Sequence, residues 1–472
     1  MKYTEIGGRA DIKGFSGTIV NEGSATPSQT TEVISTNNAT LNDTGISVIQ
    51  SSSSATGGFF VNLPNGYAQG VTKTITQVKK SPITTVVTNR GKIVLDSTTN
   101  TRNLIYMNDG WRGLDVNDSL YPSTSTISAL PTTLGTTVAL SADGNTAVIG
   151  DGTNRICLNV YNRSTSGVWS LQTSLFASGI TSSDAFPRSI AVSGDGSIIG
   201  AGARSANGGY GVYPIFGKDS NGNWSEQARI SPPSDATGAS ISFGQSSAIS
   251  ADGNTLAVAG NQDNGGKGAM WVFGRQSGTW NVQAPKMTGY NGSGMGNNMS
   301  LSSDGNTLAV PVTEGLTGYV YAYTRNGSSW SPPNRLSGTG AAFTNTISVS
   351  GDGNTVAAAC TTDSSIGSVS IFTRSNGIWN SSFYKIFPQS YTGSPGFGTS
   401  VSLSADGNTL IVSSSNNNGY VSLWVYRKIN GLWVQVDYLP TVVATGTNAG
   451  DVVLDAFGRT FAIKSSAFSY VN

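Results

Sequence analysis

Short stretches in which apolar and polar residues alternate follow one another along most of the chain. Examples are "GISVIQSS" from Gly45, "NTLAVAG" from Asn254 and "YVYAYTR" from Tyr319. Because side chains on a strand point alternately to its two faces, this alternation predicts strands with one buried face. No window shows the period of an amphipathic helix, and turns rich in Gly and Asn separate the stretches. The pattern therefore predicts an all-β fold.

One phrase, in which Ser, a small residue, Asp and Gly separate two apolar runs, returns throughout the second part of the chain. Its first copy is "LSADGNTAVIG", and its last, at 454–464, has decayed to "LDAFGRTFAIK". The copies recur about every 50 residues, which is typical of a β-propeller with one repeat per blade. The glycines of the seven aligned copies are Gly144, Gly196, Gly253, Gly305, Gly353, Gly407 and Gly458.

Each of the first six repeats also contains a third strand rich in aromatic residues and a fourth strand that begins at a tryptophan. The repeat therefore predicts four antiparallel strands per blade and a seven-bladed propeller over 121–472. One large aromatic at a fixed place favours packing between blades over a platform for stacking sugars. The tryptophans are Trp169, Trp224, Trp280, Trp330, Trp379 and Trp433.

The seventh repeat lacks a tryptophan strand, because the sequence ends at "TFAIKSSAFSYVN". An unfilled place would leave an open sheet edge. The segment "STSTISAL" (123–130) stands just before the first repeat. We expect it to supply the missing strand and to close the propeller beside 461–471.

The phrase itself is best explained as a turn between strands one and two. Asp-Gly between apolar runs is a strong hairpin signal and predicts a type I′ turn, in which both central residues have positive φ. A calcium loop needs several carboxylates at alternate positions, whereas "DGNT" offers one. We therefore expect no metal here. The basic residues after the third strands are predicted to be solvated on the outer edge, namely Arg163, Lys218, Arg275, Arg325, Arg374 and Arg427.

Composition narrows the function classes. Charged residues are 11% of the chain and the net charge is +1, which argues against nucleic acid and anionic lipid as partners. There is no apolar run of about 18 residues for a membrane helix, and the first residues lack the apolar core of a signal peptide. Histidine is absent, which removes the commonest general base and zinc ligand. Cys157 and Cys360 are predicted to be buried and unpaired.

Two stretches resemble FG-GAP repeats of the integrin-α type. They are "SFGQSSAISADGNTLAVAGNQDNGGKGAMWVFGRQSGTWNVQ" (242–283) and "GFGTSVSLSADGNTLIVSSSNNNGYVSLWVYRKINGLWVQV" (396–436). The resemblance covers about 123–472 and implies a seven-bladed propeller. The calcium loops of that family lie between strands one and two, where this chain has tight turns, so no cofactor is expected. The family binds ligands on the face formed by the loops between strands two and three and between blades.

The chain's own repeats point to the same face. The turns between strands one and two are uniform, whereas the loops at the other strand ends vary and contain Tyr, Asn, Ser and Gly, a mixture suited to recognition. The alternative is that these loops are simply solvated. The candidate binding residues are Arg204, Tyr210, Asn261, Asp263, Lys267, Tyr290, Asn291, Tyr391, Asn417 and Tyr420.

The first 120 residues contain no repeat. Six strand-like stretches predict a small β-sandwich or barrel over 51–120, and the polar segment 1–50 is predicted to be an extended arm. A "LPNG" turn and a closing "NLIYMNDGWRGL" resemble small β domains at the front of phage and other virus structural proteins.

These features favour a non-enzymatic virion structural protein of the capsid-associated, fibre or spike type. Its residues 1–120 would bind other virion proteins, and its propeller would face outward for shell decoration or attachment to a host protein or glycan. We therefore expect the chain to assemble in the host cytoplasm as a homo-oligomer and to lie on the virion surface, without insertion into a membrane. The alternatives are a cellular adhesin or carbohydrate-binding propeller and, because the carboxylates are scattered, with less support a propeller hydrolase or lyase.

Overall fold

The computed structural model of the protein describes most of residues 137–463 and, outside this range, only the backbone of individual strands. Inside the range, the residues left out are 152–155, 165–167, 289–294, 316, 339–342, 344–345, 389–390, 392, 416–419, 430, 445–450 and 459–460. The chain forms two compact units, one of residues 1–122 with 435–438 and one of residues 123–434 with 439–472.

The N-terminal unit contains two sheets with mixed strand directions. The first has the order β1-β2-β4-β6-β9-β10 and the second β3-β5-β7-β8. The strands β2, β4 and β6 run parallel, as do β3, β5 and β7. The strands are β1 (Thr18–Asn21), β2 (Thr30–Ile34), β3 (Ala39–Thr40), β4 (Gly45–Ile49), β5 (Phe59–Asn62), β6 (Thr72–Gln77), β7 (Thr84–Thr88), β8 (Gly91–Leu95), β9 (Thr101–Met107) and β10 (Gly110–Gly113).

The arm predicted for 1–50 and the domain predicted for 51–120 share these sheets. β4, inside the predicted arm, pairs with β6 along five positions, from Gly45 opposite Lys73 to Ile49 opposite Gln77. Parallel pairs need a connection that crosses over, and from β2 to β7 consecutive strands alternate between the two sheets. This pattern differs from the antiparallel meander of a simple sandwich.

The second unit is a β-propeller of four-stranded blades, as the repeat predicts. Six blades consist of consecutive strands, and we number them 1 to 6 along the chain. In blades 3, 4 and 5 the outer strand is broken into two pieces that both pair with the third strand. Blade 1 has β12 (Thr137–Leu140), β13 (Thr146–Asp151), β14 (Cys157–Arg163) and β15 (Trp169–Leu175); blade 2 has β16 (Ile190–Val192), β17 (Ile198–Ala201), β18 (Tyr213–Lys218) and β19 (Trp224–Ile230); blade 3 has β20 (Phe243–Ile249), β21 (Thr255–Gly260), β22 (Ala269–Gln276), β23 (Thr279–Val282) and β24 (Met287–Thr288); blade 4 has β25 (Ser300–Leu301), β26 (Thr307–Glu314), β27 (Thr317–Asn326), β28 (Ser329–Trp330) and β29 (Asn334–Ser337); blade 5 has β30 (Ile347–Val349), β31 (Thr355–Cys360), β32 (Ser368–Ser375), β33 (Ile378–Trp379) and β34 (Tyr384–Ile386); blade 6 has β35 (Val401–Leu403), β36 (Thr409–Ser413), β37 (Tyr420–Ile429) and β38 (Leu432–Ala444).

The predicted count of seven blades is not confirmed, because the structure has six blades of this consecutive type. The seventh repeat lies in a sheet of different make-up, here called the terminal sheet, with the order β11-β41-β40-β39. Ser125 lies opposite Val471 and Thr126 opposite Tyr470 in an antiparallel pair. These are the two segments, 123–130 and 461–471, that the repeat pattern predicts to lie side by side. The strands are β11 (Ser125–Thr126), β39 (Val452–Leu454), β40 (Phe461–Ile463) and β41 (Tyr470–Val471).

The core lies between neighbouring blades. One cluster joins Val148 and Leu158 of blade 1 to Ile199 and Phe216 of blade 2, with Trp224 packed against it. Equivalent clusters receive Trp280, Trp330 and Trp379, so the prediction of packing between blades is confirmed for these tryptophans.

The Phe-Gly pairs and the cysteines also lie in this core. Phe243 and Phe397 are buried against Trp271 and Trp424 of the same blades, with ring centroids 5.6 and 5.1 Å apart. Such aromatic contacts stabilise a core beyond the area that they bury. Cys157 and Cys360 are buried and are not joined in a disulfide, as predicted.

The phrase forms a hairpin turn, but not of the predicted type. In the copy of blade 5, Gly353 has a φ of 70°, whereas Asp352 is not among the residues with positive φ. Its carboxylate accepts hydrogen bonds from Ser350 Oγ at 2.5 Å, Asn354 N at 2.9 Å and Asn354 Nδ2 at 3.1 Å. A type I′ turn needs positive φ at both central residues, so that prediction is wrong. The aspartate instead bonds within its own turn, and only glycine takes the left-handed conformation.

The phrase also joins each blade to the next. In each copy a backbone N–H, from the small residue or, in the fifth copy, from Asp352, bonds to the equivalent turn of the next repeat. The last copy bonds back to the first, so the bonds form a closed ring. A Cβ on Gly351 would lie 2.6 Å from both Ala405 Cβ and Ser303 Oγ, which explains why only small residues occur here. The donors and acceptors are Ala142 N to Gly194 O, Gly194 N to Ala251 O, Ala251 N to Ser303 O, Ser303 N to Gly351 O, Asp352 N to Ala405 O, Ala405 N to Ala456 O and Ala456 N to Ala142 O, over 2.8–3.2 Å.

Two of the basic residues predicted to be solvated at the outer edge instead bridge blades. Arg374 donates to Thr307 Oγ1 of the preceding blade at 3.0 Å and to Asn354 Oδ1 of its own turn at 3.1 Å. Arg325 makes the same contacts with Thr255 and Asn306, at 3.1 and 2.9 Å. The prediction is therefore wrong for these two arginines, and also for Arg427, which is 4% exposed and donates to Thr409 Oγ1 of its own blade. Arg325 and Arg374 are half-buried, and their charges are used in hydrogen bonds between neighbouring turns.

We predict that Gly353→Ala destabilises the protein more than Gly377→Ala does. Both glycines have positive φ, which costs alanine about 1–2 kcal/mol. A Cβ at 353 would also lie 2.4 Å from Thr307 Oγ1 of the preceding blade, whereas one at 377 meets nothing within 4 Å. We expect a loss of about 3 kcal/mol or more for Gly353→Ala, measured by urea unfolding. Equal losses would contradict the role of the phrase between blades.

Candidate functional site

The loops between strands two and three lie at the end of the blades opposite the phrase, because successive strands are antiparallel. Three of them share one backbone form. They contain the short helices α1 (Ala206–Gly209) and α2 (Asp263–Gly266) and the 3₁₀ turn Asp363–Ser365. Asn207, Asn264 and Ser364 take the same left-handed conformation, with φ of 53°, 57° and 53°. A common loop frame therefore presents different side chains in different blades.

A carboxylate near the start of this loop is tied to a cation in the outer strand of the same blade. In blade 3, Asp263 is fully buried and accepts hydrogen bonds from Thr237 N at 2.6 Å and Lys286 Nζ at 2.9 Å. The candidate Asp263 therefore fixes the loop rather than facing a ligand.

The same contact recurs in the next two blades. Glu314 binds Arg335 and Tyr321 in blade 4, and Asp363 binds Lys385 in blade 5. These pairs hold the loops against the blade edge. In blade 2 the loop has Ala206 instead, and Arg229 binds Glu226 of its own strand.

The other candidates fall into two groups. Tyr210, Lys267, Tyr391 and Tyr420 are exposed. Arg204 and Asn261, which occupy equivalent positions three residues before Asn207 and Asn264, are half-buried and turn toward the next blade. Tyr290, Asn291 and Asn417 lie outside the described residues.

Arg204 and Asn261 contact a set of side chains here called the channel rim: Arg188, Gln245 and Asn297. Each rim residue stands five residues before the serine of a phrase. Gln245 lies in the first half of the innermost strand β20, and Arg188 and Asn297 come shortly before β16 and β25. Asn261 Nδ2 donates to Asn297 Oδ1 at 2.8 Å, and Arg204 Nη1 donates to Gln245 Oε1 at 2.9 Å. Thus a loop side chain from one blade binds the rim side chain of the next.

Arg188 also donates to Gln245 Oε1, from Nε at 3.2 Å. Two guanidinium groups therefore meet at one amide oxygen, and the amide of Gln245 is almost fully buried. Burial, followed by the charge of Arg204, lowers the pKa of Arg188, while the exposed Asp451 opposes this shift. Sequence reasoning identified Arg204 but missed Arg188 and Gln245. The sequence contains a signal for both residues, because each stands five residues before the serine of its phrase.

The central channel has a cavity of about 290 Å³ beneath the rim. The innermost strands of all six blades and of the terminal sheet line it, and the lining residues are small, aliphatic or Ser, with Met299 the largest. Among these lining residues none is titratable. In the part of the chain that the structure describes, no group of three or more Cys, Asp or Glu could hold a metal ion, and no helix is long and apolar enough to cross a membrane.

Comparison with known protein families and structures supports the β-propeller fold. The family model "FG-GAP repeat" matches residues 169–216, which span the outer strand of blade 1 and most of blade 2. No curated protein sequence matches the chain.

Solved structures similar to this chain include two propellers with TM-scores of 0.50. The β-propeller domain of Cps50 (Swd1) from Myceliophteria thermophila is 10% identical, over 74% of this chain and 99% of that one. The WD40 repeats of RRP9 are 10% identical, over 74% and 98%. The Pseudomonas aeruginosa periplasmic gluconolactonase PpgL is 18% identical, over 68% and 88%, with a TM-score of 0.45. The similarity to the first two structures shows that the chain has a β-propeller fold.

We predict that the Asp363–Lys385 pair makes the stability depend on acid pH. Burial raises the pKa of Asp363, but hydrogen bonds from Lys385, Ser368 and Ser364 outweigh it and hold the pKa below its usual value. The stabilisation is therefore complete above about pH 4, the range of an unfolded Asp, and is lost as the pH falls through the lower folded pKa. Asp363→Asn should lower the urea midpoint at pH 7, with the difference from wild type shrinking below pH 4.

The double variant Asp363→Asn, Lys385→Met provides the control. Removing one partner leaves the other charge in a half-buried place, so the double variant should recover part of the loss. A difference between Asp363→Asn and wild type that stays constant from pH 7 to pH 2 would contradict this account.

Proposed function

We propose that the chain is a non-enzymatic structural protein of a virion surface, whose propeller displays one face for recognition of a host. The observation that supports this most is the difference between the two ends of the blades. At one end the polar groups of the repeated phrase bond to one another and to the next blade. At the other end the loops differ from blade to blade and include three exposed tyrosines.

The chemistry of the second end suits a binding surface. Tyr210, Tyr391 and Tyr420 combine a rigid ring with a polar hydroxyl, and ordering them on binding costs little conformational entropy. The loop beneath Tyr210 is held by its left-handed residue Asn207, and the corresponding loops of blades 3 to 5 are held by ion pairs. A preformed loop loses less entropy on binding than a mobile one.

We propose that the terminal sheet serves as a seventh blade. Its support is the ring of backbone hydrogen bonds, in which Ala456 of the terminal sheet accepts from blade 6 at Ala405 and donates to blade 1 at Ala142. The innermost strand of this sheet also lines the channel with those of the six blades. The pairing of β11 with β41 would then close the propeller with the two ends of this unit.

We propose that residues 1–120 bind other virion proteins and that the chain acts as a homo-oligomer within the particle. Support comes from the resemblance of this region to front domains of virus structural proteins. Many copies in one particle would present the recognition face many times. Weak individual contacts would then add to a strong overall attachment.

A binding array that carries glycans and cell-surface protein domains tests the proposal. The full chain, clustered on beads, should bind at least one class of ligand, and the triple variant Tyr210→Ser, Tyr391→Ser, Tyr420→Ser should bind at least about 10-fold less. Large aromatic residues are enriched among those that dominate binding energy, and each 1.4 kcal/mol is a factor of ten in affinity.

The matched control changes three exposed apolar residues in the turns at the other end of the blades, with Val168→Ser, Ile378→Ser and Leu432→Ser. We expect this variant to bind within about twofold of wild type, because single apolar side chains at the surface are common and need no partner. Binding by no array ligand, or an equal loss in the control, would overturn the proposal.

A further inference from the structure

The fold does not require positive charges at the positions of Arg188 and Arg204. The same contact between a loop and the next rim position is made by a neutral pair, Asn261 and Asn297, one blade further on. In blade 5 the residue equivalent to Arg204 is Thr361, within a loop of the same backbone form. An uncharged side chain therefore satisfies this position, and a second arginine at 188 is not needed to bind Gln245.

The arrangement also carries an electrostatic cost. Both guanidinium groups donate to Gln245 Oε1, so two positive charges are neighbours at a half-buried place. Asp451 supplies one negative charge nearby, which leaves an excess of one positive charge. Two like charges side by side in a half-buried place are energetically unfavourable, and such arrangements are typical of functional sites. A ligand of opposite charge would remove the repulsion between them.

The geometry of the donors fits a planar anion. A guanidinium carries five N–H groups in a fixed fork. Arg188 and Arg204 each use one of these groups to donate a hydrogen bond to Gln245 Oε1. Two adjacent guanidinium groups can bind the two oxygens of one carboxylate with charge-assisted hydrogen bonds.

We propose that Arg188, Arg204 and Gln245 form a binding site for the carboxylate of an acidic sugar at the mouth of the central channel. This inference rests on the proposed recognition face and names a ligand class for it. A single excess charge suits a ligand with one carboxylate. The amide of Gln245, and those of Asn261 and Asn297 one blade further on, suit the hydroxyl groups of a sugar. A strongly acidic peptide would require a larger positive field than a site that also contains Asp451 provides.

Titration calorimetry of the full chain with 3′-sialyllactose tests the proposal, with lactose as the neutral counterpart. We expect saturable binding of sialyllactose with a dissociation constant on the order of 1 mM and at least tenfold weaker binding of lactose. Arg204→Asn, which copies the neutral residue of blade 3, and Arg188→Gln should each weaken sialyllactose binding at least tenfold. Arg275→Gln, which removes a charge near the opposite end of a blade, should bind within twofold of wild type.

Gln245→Glu separates a binding role from a structural one. The new carboxylate would lie between the arginines and compete with the ligand, so sialyllactose binding should be lost while the melting temperature stays the same or rises. A role in folding alone predicts instead that Arg204→Asn lowers the melting temperature and that Gln245→Glu leaves any binding unchanged.

Three results would overturn the proposal. They are equal binding of lactose and sialyllactose, undiminished binding by both arginine variants, and tighter binding of a glutamate-rich peptide than of sialyllactose. The last would assign the arginines to a protein partner. Failure of the proposed function would be distinguishable from failure of this inference, because the tyrosine variants and the binding array test the proposed function without titrating an acidic sugar.

Discussion

The propeller depends on the contact between one turn and the next at the end of the blades that contains the phrase. Each copy places a small residue against the following copy, and the bonds run from Ala142 through every repeat and from Ala456 back to Ala142. A closed ring of this kind fixes the rotation from blade to blade, because a shift at one joint must be matched at all others. Arg325 and Arg374 reinforce two of these joints from the outer side. The recurrence of the phrase is thus explained by assembly of the fold rather than by a reaction.

Because of this constraint, the two ends of the blades have different roles. The phrase end uses its polar groups internally, so its sequence must repeat. The other end needs only a loop of fixed form, which Asn207, Asn264 and Ser364 provide with their left-handed backbone. The side chains on that frame can therefore change from blade to blade. Tyr210 is exposed and Arg204 reaches the rim of the next blade from one such loop, which shows how a uniform scaffold can present an asymmetric surface.

The sequence predicted what depends on periodicity and local chemistry. It gave the strands of each blade, the hairpin at the phrase and the burial of the cysteines and of the tryptophans between blades, because these follow from alternation and spacing. It did not give the turn type, since the bonds from Ser350 and Asn354 to Asp352 stabilise a conformation that the Asp-Gly pair alone does not indicate. The inward position of Arg374 and the meeting of Arg188 with Gln245 depend on contacts between residues in different blades. Single-sequence patterns contain no information on such distances.

Amide hydrogen exchange at the seven donors of the ring tests the central claim most directly. These are the amides of Ala142, Gly194, Ala251, Ser303, Asp352, Ala405 and Ala456. If the joints form one cooperative ring, all seven should exchange only through global unfolding, with the same opening free energy. Fast exchange at the joints of one or two blades, while the remaining joints stay protected, would show that the blades open independently and would contradict the account.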